Sequence, residues 1–436
     1  MSYDAISPID GRYRQEAAPL ARYFSDRALN EARVKVELAY LGLLVRLGVA
    51  PKRRVPPVGT DMAALEQLEK KLGHDVKAVE VYVRESLKKS GAPGLAPFVH
   101  LGLTSEDTNS LAHAILLKSA MGDVLVPAYA SLARAVARLA TREAASVMVA
   151  RTHGRPAVPT TFGKEMAVFA VRLAERVSYI SRLAPMAKFS GAVGTYASFG
   201  LLADVDWPDV LSKFVSGFGV EPAAYSTQVV PGERLSDILH GVITVNQLVS
   251  SLSRDLWLYQ TLDYVHFVRP GKVSSSTMPQ KENPVDVENA EGQADVSNSL
   301  LVMMAYRLQQ TRLQRDLSDS AVRRMLGQAL AHSLVACSRL GGSLRSLRVE
   351  RLAMEDDLKG HPEVLAERQQ VMKRLAGDAE GYEKVRAALA RGEFAAGADP
   401  TAYLGRSVDL AQGCERRVEE TLRSAGLRGR RGAPSS

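Results

Sequence analysis

The sequence predicts an all-α protein with a long central helix bundle flanked by two smaller helical domains. Apolar side chains recur at intervals of three and four over most of the 436 residues, which is the period of a helix with one buried face. Strand candidates are few and short, so we expect long, mostly antiparallel helices. The predicted long helices cover residues 109–150, 163–184, 233–264, 286–312 and 319–348, and Pro127 is expected to kink or divide the first of them.

Two breaks in the helical pattern lead to three predicted regions. The Gly/Pro cluster GAPGLAP ends a helical N-terminal region, and the KGHP turn opens a run of shorter helices near the C-terminus. We predict an N-terminal helical domain (1–103), a central long-helix bundle (104–348) and a C-terminal helical domain (349–436).

The composition is that of a globular protein, with 46% hydrophobic and 24% charged residues. No apolar run approaches the roughly 20 residues that span a bilayer, and the N-terminus lacks a signal pattern. Cys337 and Cys414 lie far apart without metal-ligand spacing, which favours a reducing compartment over a disulfide framework. We therefore expect a cytoplasmic protein without membrane segments or bound metal.

The formal charge of +8 and the pI near 9.4 raise the question of nucleic-acid binding. Four arginines and no acid follow Glu420, so half of the excess lies in a basic tail that we expect to be disordered. A duplex-binding protein concentrates basic residues on one face, whereas here the remainder is spread thinly. An anionic small-molecule substrate accounts for the mild excess equally well. We predict no nucleic-acid partner.

The segment 274–284, SSSTMPQKENP, is the most unusual stretch of the chain. Pro279 and Pro284 lack an N–H and push the residues before them toward extended conformations. Hydroxyls, a lysine and an asparagine fill the rest. A polar loop of this kind between two predicted long helices indicates a mobile lid over an active site.

Two polar motifs interrupt the helical pattern in the N-terminal region. SPIDGRY places Arg12 and Tyr13 after a glycine turn, where a capping or surface arginine is the favoured interpretation. In GHDVKAVE, His74 and Asp75 are adjacent, so they point to different sides of a helix and cannot pair with each other. A structural role is favoured for a lone histidine at such a position.

The motif LTSEDTN begins a predicted helix. Thr104 and Ser105 precede Glu106 and Asp107, a pattern typical of a helix N-terminus. The free N–H groups there can receive a side-chain cap or hold a substrate carboxylate. Capping is favoured by roughly two to one from the sequence alone.

His153 lies in the motif RTHGRPAVPTTFG, beside a glycine and before two prolines. These residues predict a structured break between two helices. A titratable imidazole in such a break is a candidate general acid or base.

The motif QRDLSDSAVRR combines hydroxyls with arginines. Ser318 is predicted to cap a helix that carries Ser320 and Arg324 on one face, with Arg315 just before its start. Arginines and hydroxyls around a helix N-terminus suit a phosphate group. A salt-bridged helix start is equally consistent with the pattern, because two aspartates lie among them.

Several catalytic motifs are excluded by their spacing. PGKVSS lacks the upstream glycine of a phosphate-binding P-loop, and GAVGTYASFG has no strand–helix unit around it for a dinucleotide. No H-E-x-x-H or paired C-x-x-C motif suggests zinc, and no G-x-S-x-G elbow suggests an acyl-transfer serine.

The loop motif SSSTMPQKENP resembles the GSSxMPxKxNP signature of the fumarase/aspartase superfamily, whose members release fumarate from succinyl compounds. Ser274 stands where the signature has glycine. The motifs SPIDGRY, HDVKAVE, LTSEDTN, RTHGRPAVPTTFGKEM and QRDLSDSAVRR together are similar to the bacterial adenylosuccinate lyase family, over essentially the whole chain up to about residue 410. Gly73 stands where relatives often carry asparagine.

This resemblance implies roles for individual residues. It implies that His153 is the general acid, that Ser275 is the general base and that Glu288 orients the histidine. It implies that Lys281 and Asn283 bind the succinyl carboxylates. The implied nucleotide and phosphate contacts are Arg12, Tyr13, Arg315, Ser320 and Arg324, and the further substrate contacts are His74, Asp75, Thr104, Ser105 and Gln228.

The resemblance also implies a reaction and an assembly. The reaction is β-elimination of fumarate from adenylosuccinate and from succinylaminoimidazole-carboxamide ribotide, in purine nucleotide biosynthesis, without a cofactor. The assembly is a homotetramer whose sites are shared between subunits. Another fumarate-releasing lyase, such as one acting on argininosuccinate, is the alternative, and the phosphate-site residues argue against substrates without phosphate. A non-catalytic scaffold would be expected to lose His153, Ser275 or Lys281, and all three are present.

Overall fold

The computed structural model describes residues 4–268, 277–278 and 280–428, and the prediction of an all-α fold is confirmed. The helices of the first half are α1 (Arg14–Phe24), α2 (Asp26–Arg46), α3 (Met62–Leu72), α4 (Asp75–Lys89), α5 (Ser105–Ala120), α6 (Val126–Arg142), α7 (Phe162–Ile180) and α8 (Trp207–Ser216). Those of the second half are α9 (Glu233–Thr261), α10 (Val285–Arg307), α11 (Ser318–Arg323), α12 (Leu326–Arg345), α13 (Arg351–Gly360), α14 (Ala366–Leu375), α15 (Gly381–Ala390), α16 (Ser407–Gln412) and α17 (Cys414–Ser424).

Three small sheets of two strands each accompany these helices in the described part of the chain. β1 and β2 are antiparallel, β3 and β4 are parallel, and β5 and β6 are antiparallel. The strands are β1 (Val147–Thr152), β2 (Arg155–Thr161), β3 (Met186–Ala187), β4 (Glu221–Pro222), β5 (Val265–Phe267) and β6 (Leu347–Val349).

The chain divides into two compact units, each assembled from three separate segments. Unit 1 contains Met1–Val126, Ile180–Ile243 and Val296–Leu334, and unit 2 contains Pro127–Tyr179, Thr244–Asp295 and Val335–Ser436. The three-region division at residues 103 and 348 stays a prediction.

The core of unit 1 is rich in aromatic rings around Tyr40 of α2. This fully buried side chain lies 5.4 Å from the ring of Phe189 and 6.3 Å from that of Phe199, the second pair meeting edge to face. Its hydroxyl donates a hydrogen bond to the Leu101 carbonyl at 2.8 Å, so the ring is buried with its polar group satisfied. The core thereby fixes the loop that leads into α5.

Pro127 modifies the helical run 105–142 as predicted. One turn of π-helix, Met121–Leu125, separates α5 from α6 just before the proline. A proline cannot donate to the carbonyl four residues back and its ring crowds that carbonyl, and a widened turn relieves both problems. The run includes an 18-residue window with a mean hydropathy of 1.3, which is long and apolar enough to cross a membrane; half of that window is buried within the protein, as in a core helix.

The predicted helix 109–150 is wrong at its C-terminal end, because the chain forms the β1–β2 hairpin from Val147 onward. A Cβ at Gly163 would lie 2.4 Å from the Ala140 carbonyl oxygen and 2.6 Å from that of Glu143. Only glycine permits this approach, and the Gly163 N–H donates to the Glu143 carbonyl at 3.1 Å. The last glycine of the motif RTHGRPAVPTTFG therefore sets the hairpin and α7 against the end of α6.

The C-terminal segment is ordered further than the sequence predicts. Helix α17 continues to Ser424 and buries Leu422 completely. Arg134 of α6 donates to Glu419 at 2.6 Å and to the Leu427 carbonyl at 2.8 Å. Residues 429–436, where the rest of the predicted disordered tail falls, lie outside the described residues.

Candidate active site

A polar pocket in unit 1 brings together several of the predicted substrate-binding residues. Helices α2, α4 and α5 and the segment 315–324 contribute its walls. Four guanidinium groups face three carboxylates there, together with an imidazole, an amide and a hydroxyl. These side chains are Arg33, Arg315, Arg323, Arg324, Asp75, Glu106, Asp319, His113, Asn109 and Ser320.

Arg33 ties three helices together at the base of this pocket. It is only 4% exposed. Its Nη2 donates to Asp75 at 2.6 Å, its Nε to Asn109 at 2.8 Å and its Nη1 to Asn30 at 3.0 Å. Burial alone would raise the pKa of Asp75, but the Arg33 ion pair and the Val76 N–H outweigh it and hold that pKa below its usual value. Asp75 is therefore a fixed, ionised carboxylate at the start of α4.

His74 is the N-cap of α4, which bears out a structural role for it. Its Nδ1 accepts the Lys77 N–H at 3.3 Å. A ring nitrogen that accepts carries no proton, so in the neutral ring the proton is on Nε2. The side chain is 52% exposed. His74 can thus cap the helix and still present an Nε2–H donor to a ligand.

Arg315 lies between two acidic side chains. Its guanidinium is 3.0 Å from Glu106 and 3.9 Å from Asp319. Asp319 also receives a hydrogen bond from Arg323 at 3.1 Å. The sequence favoured a salt-bridged helix start and a phosphate site equally. The structure is compatible with both, because the same arginines can pair with the acids and still face a ligand. The acids hold the arginines in place and leave a net positive pocket for an anion.

Arg324 and Ser320 complete the same wall. Arg324 is 61% exposed, and its guanidinium lies 4.0 Å from Asp75. Helix α11 starts one residue earlier than predicted: Ser318 is its first residue and Leu317 its N-cap, because the Ser318 N–H is held by Asp316 at 2.9 Å. Burial and the charges of Arg323, Arg33 and Arg324 lower the pKa of His113 to about 3. Its imidazole is therefore neutral at physiological pH.

The N-terminus of α5 is fixed by Asp107, which supports the capping interpretation. The Asp107 carboxylate accepts the Thr104 N–H at 2.9 Å and the Ser190 N–H at 2.9 Å. It also pairs with the fully buried Lys188 at 3.0 Å. Thr104 is the N-cap of α5 and Ser105 its first residue, so both predicted substrate contacts have a fixed backbone.

Gln228, Arg12 and Tyr13 also belong to unit 1. The Gln228 amide donates to the Ala192 carbonyl at 3.1 Å, and its backbone N–H donates to the Gln314 carbonyl at 3.2 Å. Tyr13 is buried at the start of α1 while its neighbour Arg12 is exposed. Gln228 thus adjoins the motif that carries Arg315.

His153 occupies the tip of the β1–β2 hairpin in unit 2. Thr152 pairs with Arg155, so His153 and Gly154 form a two-residue loop. Their φ values are 53° and 72°. Positive φ at both central residues is the signature of a type I′ turn, and histidine is among the few non-glycine residues that tolerate it. The predicted structured break is confirmed, and it holds the exposed imidazole at a defined point.

This hairpin is anchored near its tip by Arg151. Its guanidinium donates to Asp357 of α13 at 2.7 Å and to the Tyr264 hydroxyl at 3.0 Å. The Tyr264 hydroxyl also donates to Asp357. Burial and this carboxylate raise the pKa of Tyr264 to about 12. Burial would raise the pKa of Asp357 as well, but Tyr264 and Arg151 outweigh it and lower that pKa.

The remaining predicted catalytic residues lie around the start of α10. Glu288, in the first turn, is exposed and accepts the Trp257 indole N–H at 3.2 Å. Lys281 is exposed and Asn283 is half-buried. No hydrogen bond joins His153 to Glu288 among the described residues of one chain. Ser275, the predicted base, and Ser274 lie outside the described residues, as do Ser276 and Pro279 of the predicted lid.

Four side chains of the unit 1 pocket were not predicted from the sequence: Arg33, Asn109, His113 and Arg323. One signal could have identified Arg33. It shares the apolar face of α2 with Glu37, one turn later, and both side chains are buried. Two opposite charges at this spacing on a buried face indicate polar partners elsewhere in the chain.

Comparison with known proteins extends these observations to the whole chain. Residues 11–296 match the family described as Lyase, and residues 311–421 match the family described as Adenylosuccinate lyase C-terminal. The adenylosuccinate lyase of Legionella pneumophila (strain Corby) is 35% identical over 410 residues, covering 90% of this chain and 89% of that protein. The adenylosuccinate lyase of Escherichia coli (strain K12) is 34% identical over 411 residues, covering 90% of each.

Solved structures agree on the fold. The 3-carboxy-cis,cis-muconate lactonizing enzyme of Pseudomonas putida superimposes with a TM-score of 0.76 at 19% identity, over 93% of this chain and 97% of that one. The fumarate lyase of Mesorhizobium sp. BNC1 gives a TM-score of 0.72 at 18% identity, over 94% and 98%. At these identities the likeness concerns the fold alone. The sequence identity to the curated relatives is higher and nearly full-length, and on that ground the chain belongs to the adenylosuccinate lyase family of carbon–nitrogen lyases.

Proposed function

We propose that the protein catalyses β-elimination of fumarate from adenylosuccinate to give AMP, and from succinylaminoimidazole-carboxamide ribotide to give aminoimidazole-carboxamide ribotide. These reactions belong to purine nucleotide biosynthesis, and we place the protein in the cytoplasm. The observation that carries the proposal is the match to adenylosuccinate lyases over nine-tenths of the chain. The unit 1 pocket supports it independently, because its arginines suit a nucleotide phosphate.

Within that pocket Arg315, Arg324 and Ser320 bind the phosphate of the substrate. Arg324 is largely exposed, so its guanidinium is available to a ligand, whereas Arg315 is held from behind by Glu106. Arg12 and Tyr13 add nucleotide contacts. His74 donates through Nε2, and Asp75, Thr104, Ser105 and Gln228 make further contacts with the substrate.

The alternative is a lyase for a substrate without phosphate, such as argininosuccinate. Four arginines in one pocket favour the phosphorylated substrate. A substrate without phosphate would leave the excess positive charge of the pocket uncompensated, because its four guanidinium groups face only three carboxylates.

The chemistry needs one proton removed and one proton delivered. Ser275 takes the proton from the carbon next to a carboxylate, and the resulting carbanion is stabilised as an aci-carboxylate. Lys281, Asn283 and backbone N–H groups stabilise the charge that develops there. The C–N bond then breaks as the C=C bond of fumarate forms, and His153 protonates the departing nitrogen. An unperturbed serine is a weak base, so Ser275 acts only after closure surrounds its alkoxide with donors and positive charge.

The active enzyme is a homotetramer with sites shared between subunits. Large apolar side chains on α9 and α10 support this assembly, since Leu258 is 52%, Val302 51% and Tyr306 70% exposed in the single chain. Exposed apolar residues along long helices are typical of subunit interfaces. In the tetramer Glu288 orients His153.

Incubation with adenylosuccinate tests the proposal directly. We expect loss of adenylosuccinate absorbance with equal amounts of AMP and fumarate formed. Argininosuccinate, run in parallel, should give no fumarate. A folded tetramer that turns over argininosuccinate but not adenylosuccinate would replace the proposal with its alternative, and one that turns over neither would refute both.

Shared sites are tested by mixing two inactive variants, His153→Asn and Ser275→Ala, under conditions in which subunits exchange. We expect partial recovery of activity, because some sites then receive both native residues. If exchange is demonstrated by native mass spectrometry and no activity returns, the sites are not shared between subunits.

A further inference from the structure

We propose that Arg33 is a positioning residue that acts on substrate binding through Asp75. This inference rests on the proposed function, because it takes Asp75 as a substrate contact. It adds a residue that lies deep in α2 and forms the back of the unit 1 pocket.

Arg33 has no free edge with which to bind a ligand. Its side chain is 5% exposed, and each of its three nitrogens donates to a partner within unit 1. The three hydrogen bonds go to Asp75 at the start of α4, to Asn109 of α5 and to Asn30, which lies one turn before Arg33 in α2. A planar guanidinium fixes three acceptors in one plane, which a flexible ammonium cannot do. Arg33 therefore sets the spacing of α2, α4 and α5 around the pocket.

The side chain of Asp75 is the one that this arrangement orients most firmly. Its Oδ2 is held by Arg33 at 2.6 Å, and its Oδ1 accepts the Val76 N–H at 2.8 Å. The carboxylate thus has one orientation, and its side chain remains 26% exposed to the pocket. A fixed acceptor costs no reorganisation when a ligand binds, which is the advantage of a preorganised site.

The charged and titratable groups that face Asp75 come from several elements. They are Arg33 of α2, the adjacent His74 with Nδ1 at 3.7 Å, Arg324 with its guanidinium at 4.0 Å, and the neutral His113 of α5. Of these, Arg33 is the closest and the most buried. Removing it leaves the burial of Asp75 uncompensated, so the pKa of this carboxyl rises toward or above its usual value.

A double-mutant cycle tests whether Arg33 acts through Asp75. The variants are Arg33→Met, Asp75→Asn and the double variant, with kcat/KM for adenylosuccinate and the affinity for AMP as readouts. We expect Arg33→Met to lower kcat/KM about 100-fold through misplacement of the acceptor. In the Asp75→Asn background the same change should have little further effect, because the group on which Arg33 acts is already gone. The double variant also removes both charges, so it keeps the protein folded if the single variant is unstable.

The pH dependence provides a readout that a purely structural role would not move. Arg33 lowers the pKa of Asp75, so its removal raises that pKa, and the acid limb of kcat/KM moves to higher pH in Arg33→Met. The matched control is Arg134→Met, which removes a part-buried arginine with a carboxylate and a carbonyl partner in unit 2. The acid limb of that variant should stay where it is in the wild type.

Independent, additive effects in the cycle, or an acid limb that does not move, would overturn the inference. Failure of the proposed function is a different result, in which the wild type binds AMP but does not convert adenylosuccinate. The cycle is then read from AMP affinity alone, and non-additivity is still expected. A wild type that binds neither compound would overturn both proposals.

Discussion

The two groups of predicted site residues differ in how firmly the chain holds them. In unit 1 the predicted phosphate and substrate contacts sit in a network of ion pairs, with Arg315 held by Glu106 at 3.0 Å and Asp75 held by Arg33 at 2.6 Å. In unit 2 the predicted catalytic residues His153 and Glu288 are both exposed, and so is Lys281, a predicted ligand of a substrate carboxylate. The first group is organised before substrate arrives.

This difference suggests a division of labour between binding and chemistry. Preorganised charges give affinity and specificity without an ordering cost. Exposed groups on a hairpin tip and beside a loop can be covered when a site closes or subunits assemble, which excludes water at the moment of reaction. We therefore expect changes in unit 1 to act mainly on affinity and changes in unit 2 mainly on turnover.

The largest expected effect follows from replacing His153. His153→Asn should lower kcat by about 10²- to 10⁴-fold, the usual contribution of a general acid, while the affinity for AMP stays within a few-fold. Asparagine tolerates the positive φ of this turn, so the melting temperature should not change. His153→Ala serves as the matched comparison and should lose about 1–2 kcal/mol of stability in addition. Wild-type turnover by His153→Asn would show that His153 is not the general acid.

Replacing Arg324 or Arg315 separates effects on AMP affinity from effects on stability within unit 1. Arg324→Met should raise the Kd for AMP by about 10- to 100-fold with kcat little changed, since a charge-assisted hydrogen bond contributes about 1.5–3 kcal/mol. Its side chain is 61% exposed, so stability should be unaffected. Arg315→Met should weaken binding similarly and also destabilise the fold by about 3–5 kcal/mol, because Glu106 is left buried without its partner. Calorimetry and denaturant unfolding measure the two effects, and equal stabilities would contradict the proposed role of Glu106.

The anchor of the His153 hairpin predicts a smaller effect on stability. Tyr264→Phe removes the hydroxyl between Arg151 and Asp357 and should lower the free energy of unfolding by about 1–2 kcal/mol at pH 7. The folded pKa of Asp357 is lowered, so its stabilisation is complete above the unfolded value of about 3.9 and is lost as the pH falls through the folded value. The difference between wild type and variant should therefore shrink below about pH 4. A difference that grows in acid would show that Asp357 is not the acceptor.

The smallest effect is expected for the two cysteines. They belong to neither group of predicted site residues, so their reactivity serves as a reference for the folded state. Burial raises the pKa of Cys337 to about 12, and burial with Glu415 raises that of Cys414 to about 11. Both thiols are buried, so neither should react with a thiol reagent at pH 8 in the folded protein, and both should react in denaturant. Rapid labelling of native protein would show that unit 2 opens locally.

Local patterns predicted most of the fold. The helices at 233–264 and 286–312 were predicted within a few residues, because long apolar periodicity is a strong local signal. The β1 strand was missed because its apolar run, Val147 to Val149, covers too few residues to outweigh the Ala-rich helix before it. Whether β1 forms depends on its pairing with β2 after the turn, and the periodicity of apolar residues before the turn carries no information about that pairing.

The site was predictable only where one motif carries its own geometry. The break at His153 could be predicted because glycine and proline lie beside it, and the structure has the hairpin turn there. Arg33 could be recognised only as a charge on a buried helix face, and its partners could not be predicted, because Asp75 and Asn109 lie 42 and 76 residues away along the chain. Contacts of that separation are decided by helix packing, and no local pattern records them.

The separation of binding from chemistry is tested most directly by titrating AMP into His153→Asn and Arg324→Met by isothermal calorimetry, beside the wild type. We predict wild-type affinity for the first variant, which should be inactive, and an affinity about 10- to 100-fold weaker for the second, which should remain active at saturating substrate. Weak binding by His153→Asn together with wild-type binding by Arg324→Met would contradict this separation.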